Sequence, residues 1–363
     1  MALDKQVVLD ALSTVKHADL DRDVVSLDLV KELKIKRKLV HLSLRSPTPL
    51  FDEVKLLAGR CREVISALDG APTDIEVEIE ADVLGAPAAN RRVLKDVRNI
   101  IAVASGKGGV AKSTSAVNIA LSLRQAGARV GILDADIYGP SLPTMLTVDE
   151  EPTMGAKQRI NPAVANGLFL ISMGFFVPAG RAAILRGPMV SGYVSQFLAN
   201  VNWPELDYLV IDYPPGTGDI QLTLSQQAPI TGAVVCTTPQ DVALIDVEKA
   251  VAMFDTTKIP VLGVIETMSY FTCDHGTRYH IFGEGGGAHI ADRSGVPFLG
   301  EVPIDPRVAR GGDDGEPIVE AHPEAEAAVA YRNISRSVAA QLALLNIERG
   351  NYLESFSLKW DAS

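Results

Sequence analysis

One short stretch of the sequence carries residue types that could hold phosphate groups. Residues 105–120 read SGKGGVAKSTSAVNIA. Glycines let successive backbone N–H groups converge on phosphate oxygens, and a following helix points its positive end at the anion. In such a loop Lys112 reaches the β- and γ-phosphates of a nucleotide, the Ser113 hydroxyl is a ligand for Mg²⁺, and Thr114 lies near the α-phosphate. The preceding residues form the cradle: Gly106, Lys107, Gly108, Gly109, Val110 and Ala111.

Two further stretches place carboxylates where a phosphate loop needs them. Asp134 and Asp136 follow an apolar run in VGILDADIYGPS, and Asp212 ends another run in LVIDYPPGTGD. Carboxylates at strand ends beside a phosphate loop hold Mg²⁺ through water and orient an attacking water. We expect Asp134 and Asp212 to hold the metal and Asp136 to orient the water. A single aspartate at a strand end is more often a cap or turn residue, but three in one alternating pattern indicate a site.

The elements around these residues predict the fold. From about residue 98, helical segments alternate with short, continuously apolar runs, which are NIIAVAS, RVGILDAD, LDYLVIDY, TGAVVCTT and IPVLGVIETM. Runs of this kind are typical of strands that are covered on both faces. The alternation predicts an α/β fold with a doubly wound, mostly parallel sheet and ligands at the carboxyl ends of its strands. Together with the phosphate loop, this predicts a fold of the P-loop NTPase type.

The length of 363 residues predicts two domains rather than one. The first 85 residues contain helical spacing in KQVVLDALSTV and strand-like alternation in RKLVHLSLRS and DIEVEIEADV. We therefore expect a small α/β domain over residues 1–85 and a linker over 86–97. The ATPase domain then covers 98–348, and residues 349–363 form a tail.

The composition argues against several classes of partner. The net charge of −11 disfavours a general nucleic-acid binder or a binder of anionic membranes, because those proteins carry a basic face. No apolar run is long enough to cross a bilayer. The three cysteines are odd in number and widely spaced, which argues against a disulfide framework and for a reducing setting. The expectation is a cytoplasmic protein with neither nucleic acid nor membrane among its partners.

Lys107, directly after the first glycine, is not required by an ordinary phosphate loop. The GKGG start resembles the deviant Walker A group of ATPases, which includes MinD and ParA. From about Asn99 to about Leu345, further stretches resemble recurrent blocks of the Mrp/ApbC family of iron–sulfur cluster carriers, in that family's order: DADIYGPSLPTML, RGPMVSG, DYLVIDYPPGTGD, TTPQDVAL, MSYFTC, YHIFGEGGG and VPIDPRV. Residues 1–85 resemble the iron–sulfur-assembly domain that precedes the ATPase in many bacterial members.

The resemblance implies a homodimeric ATPase that binds a cluster at the dimer interface and transfers it to apo iron–sulfur proteins, with assembly factors as further partners. ATP with Mg²⁺ bridges the two subunits. Lys107 reaches across to the partner subunit's nucleotide and joins Lys112, Asp136 and Asp212 in the catalytic set. The cluster is implied to be [4Fe–4S], held by a Cys-x-x-Cys pair from each subunit.

Two positions of the nucleotide site depart from the family's pattern. Ala111 replaces the glycine before Lys112. Its Cβ costs little in helical backbone but about 1 kcal/mol or more at positive φ, so we expect weak nucleotide binding and slow hydrolysis, with lost binding also open. Thr267 replaces an asparagine that contacts adenine in the family. Threonine cannot present both an amide donor and a carbonyl acceptor, which predicts looser base selectivity.

The cysteine motif departs as well. The sequence reads TCDHGTRYH, so Cys273 has no second cysteine beside it. Two copies of Cys273 supply two of the four ligands that such clusters usually take, which leaves His275 or His280 to complete the set. A mixed ligand set, a labile site, and an unligated thiol with no site remain open. Cys236 lies in an apolar strand run, where a small buried side chain is the ordinary explanation.

Three functions follow from these observations. The leading hypothesis is an ATP-hydrolysing iron–sulfur cluster carrier. The alternative is a nucleotide-binding scaffold of iron–sulfur assembly, with weak or no ATPase and no stable cluster. Ala111 and the missing second cysteine are the two features that favour it. A ParA- or MinD-like positioning ATPase predicts a membrane-binding tail or a basic DNA-binding face, and the sequence offers neither.

Overall fold

The computed structural model describes residues 3–86, 93–176 and 187–360. It divides into two compact units. The small unit comprises Met1–Leu84, Ala126–Ala128 and Ala339–Ser363, and the large unit comprises Gly85–Gln125 and Arg129–Val338. Part of the predicted linker, residues 87–92, and the last three residues of the predicted tail lie outside the described residues.

The small unit is a three-stranded sheet with helices packed against it. Its elements are α1 Lys5–Leu12, β1 Val30–Lys36, β2 Leu39–Ser46, α2 Asp52–Ser66 and β3 Asp74–Ala81. The strand order is β1-β2-β3, with β1 antiparallel and β3 parallel to β2. Val40, Leu42 and Leu44 alternate along β2 and are fully buried. The period-2 pattern therefore points one face of the sheet at the core, where residues of α1 and α2 pack.

The large unit is built on a sheet that has ten strands in the described part of the chain. The strands of this unit are β4 Val97–Ser105, β5 Val130–Asp134, β6 Val148–Glu150, β7 Thr153–Met154, β8 Ile160–Asn161, β9 Ala163–Ala165, β10 Leu168–Ser172, β11 Leu206–Asp212, β12 Gly232–Thr237, β13 Val261–Thr272, β14 Arg278–Tyr279 and β15 Phe298–Ile304. The strand order is β14-β13-β12-β4-β11-β5-β10-β9-β6, with β15 beside β13, while β7 and β8 form a separate pair.

Among the described strands of this sheet most neighbours are parallel, and antiparallel pairs occur only where β14, β9 and β6 extend it. The helices that accompany it are α3 Lys112–Gln125, α4 Leu142–Met145, α5 Gly187–Asn200, α6 Asp219–Gln227, α7 Asp241–Thr256, α8 Gly286–Arg293, α9 Pro306–Asp314, α10 Ile318–Ala321 and α11 Glu326–Trp360. The predicted mostly parallel α/β architecture is confirmed. Among the described helices, none has the length and apolar character needed to cross a membrane.

The topology brings the predicted site residues to one edge. Strand β4 lies between β12 and β11, and the phosphate loop leaves its carboxyl end and enters α3. Asp212 at the end of β11 is in register with Asp134 at the end of the neighbouring strand β5. The carboxyl ends of parallel strands meet at one edge, so these two carboxylates lie side by side next to the loop.

Candidate functional site

The glycine cradle is packed closely on one side and open on the other. A Cβ on Gly106 would lie 2.3 Å from the carbonyl oxygen of Asp246 in α7, so this position has no room for a side chain. Gly108 has nothing within 4 Å of its Cβ position. Gly109 has φ +78°, in the left-handed region that favours glycine. The cradle thus rests on α7 at its first glycine and is exposed at the next two.

Of the two backbone conformations considered from sequence, helical and positive φ, Ala111 adopts the strained one with positive φ. Its φ is +53°, in the left-handed region, where a Cβ costs about 1–2 kcal/mol. The strain is held in place by the start of α3, because the Ala111 carbonyl accepts hydrogen bonds from the backbone N–H and the hydroxyl of Ser115, each at 2.9 Å. Non-glycine residues in this region cluster at functional sites, so Ala111 marks the loop as the strained part of the site.

Lys112 and Asp212 form a buried ion pair. The Lys112 ammonium contacts Asp212 Oδ1 and lies 3.3 Å from the Ser113 hydroxyl. Asp212 is fully buried, and its second oxygen, Oδ2, has no hydrogen-bond partner among the described residues. Burial raises the pKa of Asp212, while the attraction of Lys112 opposes that rise. The pair keeps two charges out of water beside the phosphate loop.

Asp134 is also fully buried, and it is held by several donors. Its carboxylate accepts hydrogen bonds from the Ser172 hydroxyl at 2.9 Å and from the Ser141 N–H at 3.2 Å. The Asp136 N–H donates to its other oxygen at 3.2 Å. Burial, followed by repulsion from Asp212, raises the pKa of Asp134 to about 7. Two buried carboxyls thus lie beside a single lysine at this edge of the sheet, and burial favours the protonated form of Asp134.

Asp136 and Lys107 are less enclosed than these three groups. Asp136 is half-buried, and its burial raises the pKa of its carboxyl. Lys107 is half-buried, and in the described part of the chain no carboxylate lies within ion-pair distance of its ammonium. The hydroxyl of Ser105 donates to the Lys107 carbonyl at 2.8 Å, which fixes the backbone of the cradle at this residue. The Lys107 side chain is thus free to meet a group from outside the loop.

The donor set fits a magnesium ion. Mg²⁺ takes oxygen ligands and is usually bound through one or two carboxylates, water and substrate phosphates. The orphaned Asp212 Oδ2 is an acceptor that the protein itself leaves unsatisfied, and the Ser113 hydroxyl lies next to Lys112. The described residues contain no cluster of three or more histidine, cysteine or acidic side chains suited to a metal. The residues present therefore match a metal whose coordination is completed by phosphate and water.

A cavity of about 590 Å³ opens beside the phosphate loop. Its lining includes Ala111 and Thr114 from the loop and α3, Thr267 and Met268 from β13, Pro303 from β15 and Tyr331 from α11. The size and largely apolar lining are typical of a small-molecule pocket. The cavity lies where a nucleoside attached to phosphates in the loop would extend.

Thr267 lines this cavity, yet its hydroxyl is hydrogen-bonded to the protein backbone. The Thr267 hydroxyl lies 3.0 Å from the Val110 carbonyl and 2.8 Å from the Thr237 carbonyl, and the residue is buried. A hydroxyl carries a single proton, which these carbonyls share. Thr267 thereby ties β13 to the phosphate loop. The next residue, Met268, has φ +53°, so strained backbone faces the cavity from both sides.

Cys273 lies in the turn between β13 and β14, away from the cradle. The turn is closed by hydrogen bonds from the Cys273 N–H to the Thr277 carbonyl at 3.0 Å and from the Gly276 N–H to the Cys273 carbonyl at 2.8 Å. The N–H groups of His275 and Thr277 point at the sulfur and lower the pKa of the thiol. The sulfur is partly exposed. These features favour a thiolate that is available to an external group.

The other cysteines and histidines differ from Cys273. Cys61 and Cys236 are buried, and burial raises the pKa of each thiol to about 12, so both are unreactive core residues. His275 is exposed in the same turn as Cys273. The His280 imidazole lies 3.7 Å from Glu284 and near the Tyr270 ring. One chain thus offers one accessible thiol with imidazoles nearby.

A phosphate loop at the carboxyl end of the central strand, with strand-end aspartates beside its lysine, defines a P-loop NTPase. The family model that matches residues 96–339 is described as the NUBPL iron-transfer P-loop NTPase, and a second model, iron–sulfur cluster assembly protein, matches residues 5–79. The chain belongs to this family of iron-transfer P-loop NTPases. The resemblance noted in the sequence is thereby confirmed.

Relatives of similar length support the same assignment. The iron–sulfur cluster carrier protein of Deinococcus radiodurans is 44% identical over 342 residues, which cover 93% of this chain and 95% of that protein. The iron–sulfur cluster carrier protein of Escherichia coli K12 is 40% identical over 341 residues, covering 93% and 92% of the two chains. The similarity therefore extends over both units.

Solved structures resemble the large part of the chain. The nucleotide-binding protein from Archaeoglobus fulgidus, solved in complex with ADP, is 36% identical with a TM-score of 0.55, covering 64% of this chain and 91% of that one. The cell division ATPase MinD of Pyrococcus furiosus is 21% identical with a TM-score of 0.51, covering 66% and 98%. Because the identity to MinD is low, this second similarity is evidence for the fold alone.

Sequence reasoning missed three contributors to the site. Ser172 hydrogen-bonds Asp134 from β10, Tyr331 lines the cavity from α11, and Met268 adds strained backbone. A lone serine at a strand end and a tyrosine within a long helix carry no distinctive pattern. A signal was available for the cavity wall, because the VPIDPRV block contains Pro303 and the residues that follow it.

Proposed function

We propose that this protein is an ATP-binding and ATP-hydrolysing carrier of iron–sulfur clusters, working as a cytoplasmic homodimer that delivers its cargo to apo iron–sulfur proteins. The observation that carries the nucleotide part is the buried cluster of Lys112, Asp212 and Asp134 behind a glycine cradle. The ADP complex of the Archaeoglobus fulgidus relative supports the same ligand class. The cargo is inferred from the family and from the iron–sulfur cluster carrier proteins that match this chain over both units.

In the proposed mechanism, the chain's own residues bind the nucleotide and direct water at it. Lys112 leaves Asp212 for the β- and γ-phosphates, and the cradle N–H groups bind the remaining phosphate oxygens. Asp136 orients a water molecule toward the γ-phosphorus, and ADP is the leaving group. Lys107, which has no carboxylate partner in the described residues, reaches the partner subunit's nucleotide.

The metal site follows from the same residues. Ser113 would bind Mg²⁺ through its hydroxyl oxygen, and Asp134 and the unsatisfied oxygen of Asp212 would hold the ion through water. When bound, Mg²⁺ neutralises phosphate charge and helps to orient the leaving group. Asp212 would thus be released from Lys112 when the lysine turns to the phosphates.

The cargo site of the proposal uses Cys273 from each of two subunits. The sulfur is partly exposed and is stabilised as a thiolate by backbone N–H groups, as a ligand for iron must be. A [4Fe–4S] cluster takes four protein ligands, so His275 of each chain is the candidate for the remaining positions. This set would be more labile than four thiolates, in keeping with a protein that gives its cluster away.

Anaerobic iron reconstitution tests the cargo site. We expect about one cluster per two chains, read from absorbance and iron content, and loss of that cluster in Cys273→Ala because thiolates hold the iron. Cys236→Ala is the matched control, since its buried thiol is unreactive and should leave iron binding unchanged. Equal iron binding by Cys273→Ala and the unaltered protein would refute the cargo site.

Replacing Ala111 with glycine separates the carrier from the scaffold alternative. The positive φ of Ala111 favours weak nucleotide binding, which is the property of a scaffold. The strain of about 1 kcal/mol is already present in the nucleotide-free loop, so glycine should first stabilise that loop. Glycine also removes a methyl group from the cavity lining, and we therefore expect Ala111→Gly to bind ADP with Mg²⁺ up to about tenfold more tightly. Calorimetric titration and ATP turnover measure the change. Background turnover in the unaltered chain that glycine restores identifies the scaffold, whereas measurable turnover in both identifies a working ATPase.

A further inference from the structure

A carboxylate outside the phosphate site holds the hairpin that carries Cys273. Glu326, the first residue of α11, accepts hydrogen bonds from the Tyr270 hydroxyl at 2.9 Å, the Thr272 hydroxyl at 3.0 Å and the Arg278 guanidinium at 2.6 Å. Tyr270 and Thr272 precede Cys273 on β13, and Arg278 follows it on β14. The Glu326 side chain therefore forms hydrogen bonds with both strands of the hairpin, before and after Cys273.

The hairpin needs such support because its own ladder is short. Strand β14 has two residues, Arg278 and Tyr279, which pair with Thr272 and Phe271. Strand β13 is held in the large sheet by β12 and β15, so the two-residue strand β14 is the weakly held arm of the hairpin. The Arg278 guanidinium also lies 4.2 Å from the centre of the Tyr270 ring, and Glu326 contacts both side chains. The position of Cys273 thus depends on a contact with α11.

The same two elements also reach the nucleotide cavity. Tyr331 follows Glu326 by five positions in α11, lines the cavity, and places its hydroxyl 3.4 Å from that of Ser115. Ser115 in turn donates to the Ala111 carbonyl at the phosphate loop. On β13, Thr267 bonds to the Val110 carbonyl. Strand β13 and helix α11 therefore each run continuously from the cavity to the cysteine hairpin.

We propose that Glu326 is a positioning residue that fixes the Cys273 hairpin to α11 and couples it to occupancy of the nucleotide cavity. The coupling rests on the proposed function, since it requires that the cavity take a nucleotide. Coupling of this kind is reciprocal, so nucleotide and hairpin influence each other by the same factor in binding. Glu326 touches neither the sulfur nor the cavity, and its effect passes through Tyr270, Thr272 and Arg278.

A purely structural role predicts a different result. The Glu326 side chain is 41% exposed, and an exposed ion pair contributes about 0–1 kcal/mol to folding. An acidic residue in the first turn of a helix also stabilises that helix by a similarly small amount. Substitution is therefore expected to change global stability little. The informative measurement is the local reactivity of Cys273 and its response to nucleotide.

The thiol reaction with dithiobis(nitrobenzoate) provides that measurement in the intact chain. Cys61 and Cys236 are buried, so the fast phase reports Cys273 alone. The sulfur is already partly exposed, and loosening the hairpin weakens the N–H contacts of the turn that stabilise its thiolate, so we expect Glu326→Ala to react about threefold more slowly. Glu326→Gln keeps an acceptor oxygen for Tyr270 and Arg278, which share Oε1. It replaces the oxygen that accepts from Thr272 with an amide nitrogen, and it should give an intermediate rate. Glu324→Ala removes an exposed acid two residues away and should react like the unaltered protein.

The second arm adds ADP with Mg²⁺, after calorimetry has established binding. We expect nucleotide to change the Cys273 rate of the unaltered chain by about twofold, and Glu326→Ala to lose that change while its affinity for nucleotide shifts by no more than about the same factor. An unchanged basal rate in Glu326→Ala, or a nucleotide response that persists in it, overturns the proposal. Failure of the unaltered chain to bind ADP refutes the nucleotide site instead, and the basal rates still decide the positioning role. Thr272→Val, which removes one donor without changing shape, repeats the test if Glu326→Ala does not fold.

Discussion

Replacing Gly106 with alanine is expected to destabilise the large unit by about 1–3 kcal/mol and to abolish nucleotide binding. The added Cβ would lie 2.3 Å from the Asp246 carbonyl oxygen and 2.4 Å from its carbonyl carbon. Both atoms belong to the backbone of α7, which cannot rotate away as a side chain would. Either the helix or the cradle must shift, and a shifted cradle no longer directs its N–H groups at phosphate.

The same substitution at Gly108 provides the control. Gly108 lies in the same loop, but nothing lies within 4 Å of its Cβ position and its φ is not in the left-handed region. Urea unfolding should therefore show Gly108→Ala close to the unaltered protein, and Gly106→Ala well below it. Titration with ADP and Mg²⁺ measures the loss of binding. If both variants unfold at the same urea concentration, the close approach of the loop to α7 is not what restricts this position.

Much of the fold could be predicted because its central strands are covered on both faces. Residues of β4, β5 and β11 are buried almost without interruption, which produces the continuous apolar runs that identified them. The antiparallel extensions β6, β9 and β14 were missed. Each has only two or three residues, too few for a period to show.

The candidate site was predictable in its residue types but not in its geometry. The lysine, the serine and the strand-end aspartates follow from known loop chemistry. That Ala111 takes positive φ depends on how α3 begins, and a sequence motif does not specify that angle. The three contacts of Glu326 join residues 48 to 56 positions apart, and their pairing depends on the placement of α11 beside the hairpin. No local pattern encodes such a contact.

Replacing Lys112 with methionine is expected to destabilise the nucleotide-free protein by about 3 kcal/mol at neutral pH, in addition to removing nucleotide binding. The substitution leaves the Asp212 carboxylate buried without its cation, while its other oxygen already lacks a partner. The loss should shrink as the pH is lowered, because protonation of Asp212 removes the uncompensated charge. Its pKa is already raised by burial, and removing Lys112 raises it further.

The double variant Lys112→Met with Asp212→Asn tests whether this loss comes from the pair. Asparagine carries no charge, so the double variant should regain most of the stability that Lys112→Met loses, and its unfolding free energy should depend less on pH. Urea unfolding between pH 5 and 8 measures both effects as a double-mutant cycle. A double variant no more stable than Lys112→Met would show that the lysine stabilises the loop by packing. The recovery that we expect would instead show that Asp212 is the partner of Lys112 in the nucleotide-free protein. An arriving nucleotide must then displace this carboxylate in order to bind the lysine.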